Sequence, residues 1–390
     1  THHGEVARLP RFDPGGRVLY WRSDGRSRSR VQRLTLDAPQ EQRTLARVNG
    51  QPGYDLHPSG NVLVYTRLDN SRDIYFFHDL FRRDLETGRV DRLSTGLRAR
   101  EPDVSPDGRR VAFTVNEAGT THLMIAALRD IEGTARRLLT NERYDQVFNP
   151  RFSPDGRTIA IGRWRAGGYR DIQLVDVASG RVTSVTEDRA QDLTPAWAPD
   201  GRTLYFTSDR TGIANIYAYE LTTGRLRQVT NVVAGAYAPA LSRDGRHLVY
   251  VGYTSYGFDL FHLDLAEVEP RPAPGYVDRR PPPAVGDLAL WDGPSRDYQP
   301  LETLYPRSYL LDLTDDGFGA ALGVVVEGRD LAGFHAYRLR ATTGLVRGNT
   351  NVDLTYRYGR MPLRVAARFF RRVAPRRGLS VGGQNVQWVE

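Results

Sequence analysis

Short segments of alternating apolar and polar residues recur along the first two-thirds of the chain. Segments such as 158–161 and 203–206 are only four residues long and lie between turns that contain proline and glycine. Segments that begin at Asp or Asn follow them, as at 171–175 and 215–219. Period-two alternation over so few residues is typical of β-strands that bury one face. The pattern therefore predicts an all-β protein built from short antiparallel strands.

One turn phrase interrupts these segments six times. Its best copies are Ser-Pro-Asp-Gly-Arg, in which proline fixes φ, aspartate bonds its own backbone and glycine supplies a positive φ. A second turn, Thr-Gly-Arg or Ser-Gly-Arg, precedes a fourth strand that ends near a Thr, as at 179–186 and 223–230. The glycines of the first turn are 44, 48, 48, 45 and 44 residues apart, and they are Gly16, Gly60, Gly108, Gly156, Gly201 and Gly245. Four strands at this period predict a six-bladed β-propeller.

This repeat resembles the TolB-type propeller repeat of periplasmic proteins. The run Pro-Arg-Phe-Ser-Pro-Asp-Gly-Arg at 150–157, then Asp-Ile at 171–172 and Ser-Gly-Arg at 179–181, follows the pattern of that family. The resemblance covers residues 1–265, although the first two copies of the turn are degenerate. Related repeats also occur in the propellers of prolyl-oligopeptidase-type peptidases, so the resemblance implies a fold more strongly than a function.

The chain begins and stops partway through this repeat. Thr1 aligns with Thr186 and Thr230 at the ends of fourth strands, whereas no second turn and no fourth strand follow Leu265. We therefore expect an incomplete sixth blade whose exposed edge is prone to pairing with another strand. Closed propellers often complete the last blade from the other terminus, so the missing strand is expected upstream of Thr1.

The sequence changes character after residue 265. Residues 266–300 are rich in proline and predict an extended linker. Segments within residues 301–390, such as 351–358 and 363–369, then alternate between polar and apolar side chains. Alternation of this kind is typical of an outer-membrane barrel, but a soluble sheet with one buried face alternates in the same way.

A second resemblance favours the barrel. The lead-in at 299–309 and the phrase Gly-Arg-Asp-Leu-Ala-Gly-Phe-His-Ala-Tyr at 328–337 resemble the start of BamA- or surface-antigen-type barrels. The resemblance implies that residues 301–390 form the antiparallel strands of a partial β-barrel and contact the outer membrane. Only five or six strands fit before Glu390, fewer than a closed barrel requires.

Composition narrows the possible chemistry. The chain has no cysteine, which removes disulfides, thiolate metal ligands and cysteine nucleophiles. Its 54 basic residues are all arginine, and with 46 acidic residues they give a formal net charge of +8. They are interleaved with Asp and Glu through most of the chain, so no nucleic-acid partner is predicted. No apolar run approaches the ~18 residues of a membrane-spanning helix.

Catalytic motifs are absent from the sequence. It contains no Gly-x-Ser-x-Gly elbow, no His-Glu-x-x-His pair and no phosphate-binding glycine loop, and its eight histidines are scattered. The aspartates of the turn phrase are predicted to be structural, and they are Asp107, Asp155, Asp200 and Asp244. These observations predict that the chain is not an enzyme and has neither a cofactor nor a metal site.

The usable surface of a propeller is its central channel and rims. The loops that lead into the first strands reach the channel mouth, where charged, polar and aromatic residues suit contact with a protein or peptide. The predicted binding residues are Arg98, Arg100, Glu101, Tyr144, Asp145, Asn149, Asp192, Thr194 and Tyr237.

Two functions remain open. The first is a non-catalytic protein- or peptide-binding or scaffolding propeller of the bacterial envelope, located in the periplasm and attached to an outer-membrane barrel. The second is the substrate-gating propeller of a peptidase whose catalytic domain lies outside this chain. The barrel-like tail favours the first, since residues 300–390 lack the strand–helix alternation of a serine hydrolase.

Overall fold

The computed structural model describes residues 6–50, 53–71, 75–279, 293–294, 296–360, 364–381 and 384–389. The chain divides into two compact units, residues 1–287 and residues 288–390. Within the described ranges the helical segments are one short α-helix and two 3₁₀ turns: α1 (Ile131–Thr134), Leu265–Glu267 and Pro300–Thr303. The fold is therefore all-β, as the alternating pattern predicted.

The first unit consists of strands that pair antiparallel with their neighbours along the chain. The first two repeats give β1 (Val6–Phe12), β2 (Val18–Ser23), β3 (Arg30–Thr35), β4 (Ala38–Arg47), β5 (Tyr54–Leu56), β6 (Val62–Ser71), β7 (Tyr75–Asp84) and β8 (Val90–Arg92). The next two give β9 (Ala99–Val104), β10 (Arg110–Glu117), β11 (Thr120–Ala127), β12 (Arg136–Leu139), β13 (Gln146–Phe152), β14 (Thr158–Arg165), β15 (Tyr169–Asp176) and β16 (Val182–Ser184). The unit ends with β17 (Leu193–Trp197), β18 (Thr203–Ser208), β19 (Asn215–Glu220), β20 (Arg225–Gln228), β21 (Ala236–Leu241), β22 (His247–Thr254), β23 (Gly257–Asp264) and β24 (Arg271–Pro272).

These strands form sheets that follow the sequence repeat. Strands β5–β8, β9–β12 and β13–β16 make three four-stranded sheets, and β24 adds a fifth strand to β17–β20. Strands β21–β23 and β1–β4 form one seven-stranded sheet, joined by a single parallel pair between Val6 and Phe258. Beyond this pair with β1, no further strand joins β23 within the described residues, and 271–272 pairs with β20. The segment 285–291, which could have completed β23, lies outside the described residues.

The Ser-Pro-Asp-Gly-Arg turns form as the sequence predicted. In the copy between β9 and β10, the Asp107 carboxylate accepts hydrogen bonds from the Ser105 hydroxyl and from the backbone N–H of Arg109 at 3.0 Å. The Ser105 bond contributes most to holding the pKa of Asp107 below its ordinary value. Gly108 adopts a φ of +72°, which a residue with a Cβ rarely adopts. The aspartate of this turn is therefore structural.

A buried polar contact fixes the end of the fourth strand. Thr230 accepts from the backbone N–H of Ile216 at 2.8 Å and donates to the Asn215 side chain at 2.9 Å. The N–H of Val232 also bonds to that side chain, at 3.0 Å. Two other sheets repeat the contact with the pairs Asp79 and Ser94, and Asp171 and Thr186. The Ser or Thr that closes each of these repeats thus holds the outer strand against the third strand.

The hydrophobic core lies between successive sheets. Leu123 and Ile125 of β11 pack with Ile159 and Ile161 of β14 in one cluster of buried residues. Similar clusters join the other neighbouring sheets along the chain. Each sheet therefore buries apolar side chains on both of its faces, which explains the near-continuous apolar runs in strands such as β14.

The second unit contains an open antiparallel sheet and a hairpin. The sheet consists of β25 (Tyr305–Asp315), β26 (Ala320–Arg329), β27 (His335–Gly344), β28 (Thr350–Tyr358) and β29 (Val365–Arg371). Strands β30 (Val373–Val381) and β31 (Gln384–Val389) form the hairpin. No closed barrel occurs in the described part of this unit, so the partial barrel predicted for 301–390 is not confirmed.

The register of this sheet separates apolar from charged side chains. Leu354 lies opposite Phe369 and Tyr358 opposite Val365, which places these four side chains on one face. That face continues into β25, where Leu311 and Leu313 are 84% and 80% exposed. The other face carries ion pairs between Arg340 and Asp312, Arg338 and Glu327, and Arg368 and Asp353.

Candidate functional site

The first strands of the sheets meet one another and enclose a common centre. Contacts join β5 to β9, β9 to β13, β13 to β17, β17 to β21 and β21 to β1. The Tyr54 hydroxyl donates to the Leu9 carbonyl and so connects β5 to β1. We call β1, β5, β9, β13, β17 and β21 the innermost strands.

Five innermost strands carry a β-bulge at the residue before a proline. Pairing with the second strand shifts register at each of these places. The backbone there takes a φ of 50–56°, which costs a residue with a side chain roughly 1–2 kcal/mol. The residues concerned are Leu9, Glu101, Asn149, Thr194 and Ala238. Bulges often re-aim side chains next to sites, and three of these residues are among the predicted binding residues.

A small cavity of ≈ 100 Å³ lies among four innermost strands. It is lined by Leu9, Arg11, Gly53, Tyr54, Arg100, Glu101, Asn149 and Arg151, together with Thr66 of β6. The lining is polar and charged, and it combines both signs. A site of this kind can form hydrogen bonds and ion pairs with a polypeptide backbone or with short polar side chains.

Charged side chains from four innermost strands form an ion network beside the cavity. Arg11 Nη1 lies 2.6 Å from Asp103 Oδ1 and 3.6 Å from Asp55 Oδ1. Arg151 is 3.9 Å from the same Asp103 oxygen. The equivalent places, two residues after the bulge position, hold Arg11, Asp55, Asp103, Arg151, Ala196 and Ala240. Four innermost strands, β1, β5, β9 and β13, therefore carry a charged residue at this place, and the other two, β17 and β21, carry alanine.

The two aspartates also fasten neighbouring innermost strands to each other. The second oxygen of Asp55 accepts from the backbone N–H of Val104 at 2.7 Å. The second oxygen of Asp103 accepts from the N–H of Phe152 at 2.7 Å. Asp103 thus bonds both Arg11 and the next strand, and Asp55 bonds the next strand while it forms an ion pair with Arg11. The network therefore fixes the spacing of strands around the centre.

Burial controls the protonation of this network. Burial raises the pKa of Asp55 to about 6, although the nearby Arg11 guanidinium opposes the rise. It also raises the pKa of Glu101, against hydrogen bonding by the Asn149 backbone. Burial and the positive charge of Arg11 together lower the pKa of Arg151 to about 10. At neutral pH the network carries charges of both signs in a largely dry setting, where they act strongly on a ligand.

Aromatic and arginine side chains lie at the edge of the sheets where the innermost strands begin. Arg170 lies 4.4 Å from the ring centre of Trp164, and Arg98 lies 4.3 Å from that of Phe77. Exposed aromatic residues at these strand ends are Phe76, Tyr144, Trp164, Tyr253 and Tyr256. We call this the mouth face, and the Ser-Pro-Asp-Gly-Arg turns lie at the opposite strand ends. Exposed aromatic and arginine residues are those most enriched where proteins bind peptides.

The structure brings together three of the nine predicted binding residues. Arg100, Glu101 and Asn149 line the cavity, and the Asn149 backbone and side-chain amides both bond to the Glu101 carboxylate, at 2.8 and 3.1 Å. Arg98 and the exposed Tyr144 lie in loops of the mouth face.

The other four predicted residues are held by contacts away from the described cavity lining. Asp145 pairs with Arg163 at 3.1 Å, and Thr194 bonds to Thr207 at 3.0 Å. Buried Asp192 pairs with Arg210 at 3.1 Å, and burial raises its pKa to about 6. Tyr237 is half-buried, with its ring close to Gly235.

Sequence reasoning missed the ion network. The predicted residues were placed in the loops that lead into the strands, so they did not include Arg11, Asp55, Asp103 and Arg151. A usable signal was present, since each of them stands directly before the apolar residue that precedes the turn phrase. A charged residue at this place in a buried strand requires a partner.

The matched family model agrees with this architecture. Residues 101–271 match the model described as the TolB beta propeller domain. Residues 101–271 therefore form part of a TolB-type β-propeller domain. Its fold is similar to that of TolB from Acinetobacter baumannii, with a TM-score of 0.52 and 18% identity. That similarity covers 67% of this chain and 61% of the other.

Two sequence relatives are named as proteolytic enzymes. A protein of Sulfurisphaera tokodaii described as a Tricorn-like protease C-terminal subunit is 27% identical over 159 residues, which is 40% of this chain. The uncharacterized peptidase YuxL of Bacillus subtilis is 26% identical over 191 residues, also 40% of this chain. The matches span only 16% and 29% of the lengths of these relatives.

These relatives correct one expectation and leave another unsupported. The expectation that the chain is not an enzyme is contradicted, because its relatives are named as a protease and a peptidase. It rested on the absence of motifs, which says nothing about proteins that carry such a propeller beside other domains. The resemblance of residues 301–390 to a BamA-type barrel gains no support, since the matched family model covers the propeller.

Among the described residues, no three or more His, Asp or Glu side chains are grouped as metal ligands would be. No described helix is long and apolar enough to cross a membrane.

Proposed function

We propose that the propeller binds polypeptide segments at its mouth face and serves as the substrate-selecting module of a peptidase. The observation that carries the proposal is the charged cavity formed by Arg100, Glu101, Asn149 and Arg151 among the innermost strands. Its two signs of charge match the amide and terminal groups of a peptide. The named activities of the two sequence relatives support the same function.

The proposal includes a six-bladed arrangement of the sheets. It is supported by the six glycine-anchored turns and by the contacts that connect the innermost strands in sequence. The seven-stranded sheet then comprises two blades, since only one residue pair joins β1 to β23. The match of residues 101–271 to the TolB propeller model also supports a location in the bacterial envelope, facing the periplasm.

The mouth face explains how such a module would select its ligand. Its exposed aromatic rings offer apolar contact, and arginines such as Arg170 beside Trp164 add donors that suit carbonyl and carboxylate oxygens. The cavity is small, ≈ 100 Å³, so it admits one short side chain or a chain end and excludes larger groups. Selection by size and by local charge follows from this geometry.

Binding of fluorescein-labelled random hexapeptide pools to the full chain tests this function. We expect saturable binding in fluorescence polarisation, weakened about fivefold or more by Arg100→Ala or Trp164→Ala, as for interface hot spots. Arg109→Ala is the matched control, because Arg109 is exposed on a turn at the opposite strand ends. Absence of peptide binding, or equal loss in all three variants, would overturn the proposal.

A second candidate function concerns the sheet of the second unit. We infer that its exposed apolar face meets a membrane, because Tyr309, Leu311 and Leu313 continue across the sheet into Leu354 and Phe369 without a charge between them. The ion pairs all lie on the opposite face, as they would where one face meets lipid. A membrane at this face agrees with the sequence-based expectation that residues 301–390 contact the outer membrane.

A further inference from the structure

The charged face of the β25–β29 sheet contains a hollow with an excess of arginines. The hollow measures ≈ 570 Å³ and lies at the strand ends near Gly333 and Gly359. Its charged lining consists of Arg307, Arg329, Arg338, Arg357, Arg364 and Glu327. Five cations thus face one carboxylate, and we call this site the arginine hollow.

The register of the sheet produces the hollow. Arg329 of β26 lies opposite Ala336 of β27, Ala336 lies opposite Arg357 of β28, and Arg357 lies opposite Ala366 of β29. Long and short side chains therefore alternate across four strands. Because neighbouring strands are ~5 Å apart, the Cα atoms of Arg329 and Arg357 stand roughly 10 Å apart, with only a methyl group between them.

Charge is balanced elsewhere on this face but not in the hollow. Arg340 pairs with Asp312, and Arg368 pairs with Asp353. Within the hollow, Glu327 already pairs with Arg338 at 3.3 Å.

The remaining cations of the hollow lack acidic partners. Arg307 donates to the backbone carbonyls of Arg329 and Thr303, both at 3.3 Å. Arg329, Arg357 and Arg364 make no ion pair with any residue in the described ranges. Three guanidinium groups around one open space repel one another unless an anion joins them.

We propose that the arginine hollow binds a phosphate group. A guanidinium presents paired N–H donors that fit two oxygens of a phosphate, so several arginines can share one phosphate from different sides. A phosphate monoester carries about −1.5 to −2 charges at neutral pH and three acceptor oxygens. A carboxylate carries one charge and two oxygens, and would leave at least two of the three arginines uncompensated.

Isothermal titration of the full chain with inorganic phosphate, in a phosphate-free buffer, tests the assignment. We expect one saturable site, weakened about tenfold by Arg357→Gln. We expect Ala366→Phe to weaken binding similarly, because it fills the hollow without removing a charge. Arg372→Gln is the matched control, since Arg372 is an exposed arginine outside the hollow. Acetate should bind at least about tenfold more weakly than phosphate.

Vesicles distinguish a lipid phosphate from a soluble one. Flotation with phosphatidic acid vesicles, compared with phosphatidylcholine vesicles, identifies a lipid headgroup if capture depends on Arg357 and inorganic phosphate competes only weakly. Strong competition by inorganic phosphate identifies a soluble phosphate. The proposal is overturned if neither probe depends on Arg357, or if acetate binds as well as phosphate. Circular dichroism of each variant separates lost binding from lost folding, and none of these outcomes bears on peptide binding by the propeller.

Discussion

Asp55 illustrates how one residue near the centre of the propeller couples charge to stability. Its carboxylate bonds the Val104 backbone and lies 3.6 Å from an Arg11 nitrogen, yet burial raises its pKa to about 6. The folded protein therefore holds the proton of Asp55 more tightly than the unfolded chain does between about pH 4 and 6. The stabilisation from this group is complete below its ordinary pKa of 3.8 and is lost as pH rises through 6.

Replacing Asp55 by Asn removes this titration. The unfolding free energy of Asp55→Asn relative to wild type should rise from pH 4 to 6, by up to about 1.4 kcal/mol per pH unit, and then level off. Urea unfolding at intervals of half a pH unit measures the difference. Asp84→Asn should show no such rise, because hydrogen bonds from Thr87 lower the pKa of that exposed turn carboxylate. A flat difference for Asp55→Asn would contradict the assignment.

The innermost strands differ in how their bulge position is accommodated. Five carry a non-glycine residue at positive φ, whereas β5 is preceded by Gly53 at the equivalent place. A Cβ on Gly53 would lie 2.5 Å from the backbone N and Cα of Glu101. The glycine is therefore required by the close approach of β9, the strand that presents Arg100 and Glu101 to the cavity.

Gly53→Ala should separate these two strands. We expect a loss of about 1–3 kcal/mol of unfolding free energy, because backbone atoms cannot move aside as a flexible side chain can. Thermal or urea unfolding measures the loss. The control is Gly275→Ala, where a Cβ would meet no atom within 4 Å and φ is ordinary. If both variants unfold like wild type, the close approach does not constrain the strand.

At the scale of the whole molecule, the two units differ in how their sheets bury apolar side chains. Sheets of the first unit bury both faces against neighbouring sheets. The sheet of the second unit leaves side chains such as Leu311 and Phe369 exposed. An apolar face that stays exposed across several strands normally marks an interaction surface.

Leu354→Arg tests the membrane partner proposed for that face. The wild-type chain should float with phospholipid vesicles, and Leu354→Arg should reduce the bound fraction, since a charge at mid-depth in lipid costs roughly 2–4 kcal/mol. Asp353→Asn is the control on the opposite face and should bind as wild type does. If the wild-type chain is monomeric in water and does not bind vesicles, the membrane proposal is wrong and this unit is a soluble accessory sheet.

The sequence by itself determined the strands, the turns and which residues share a face. Proline, aspartate and glycine specify the turn between β9 and β10 locally, and period-two alternation set Leu354 and Tyr356 on one side of β28. These features depend on neighbours within a few residues, so a local pattern is sufficient to predict them.

Only the tertiary structure decided which charges meet at the centre. Arg11 and Asp103 are 92 residues apart in the chain and bond because β1 and β9 converge on the same cavity. Likewise, the arginine hollow depends on register across four strands, where a slip of one residue would move Arg357 to the apolar face. Contacts between distant segments follow from how sheets pack and pair, and burial then sets the pKa of Asp55, because desolvation exists only once those sheets have come together.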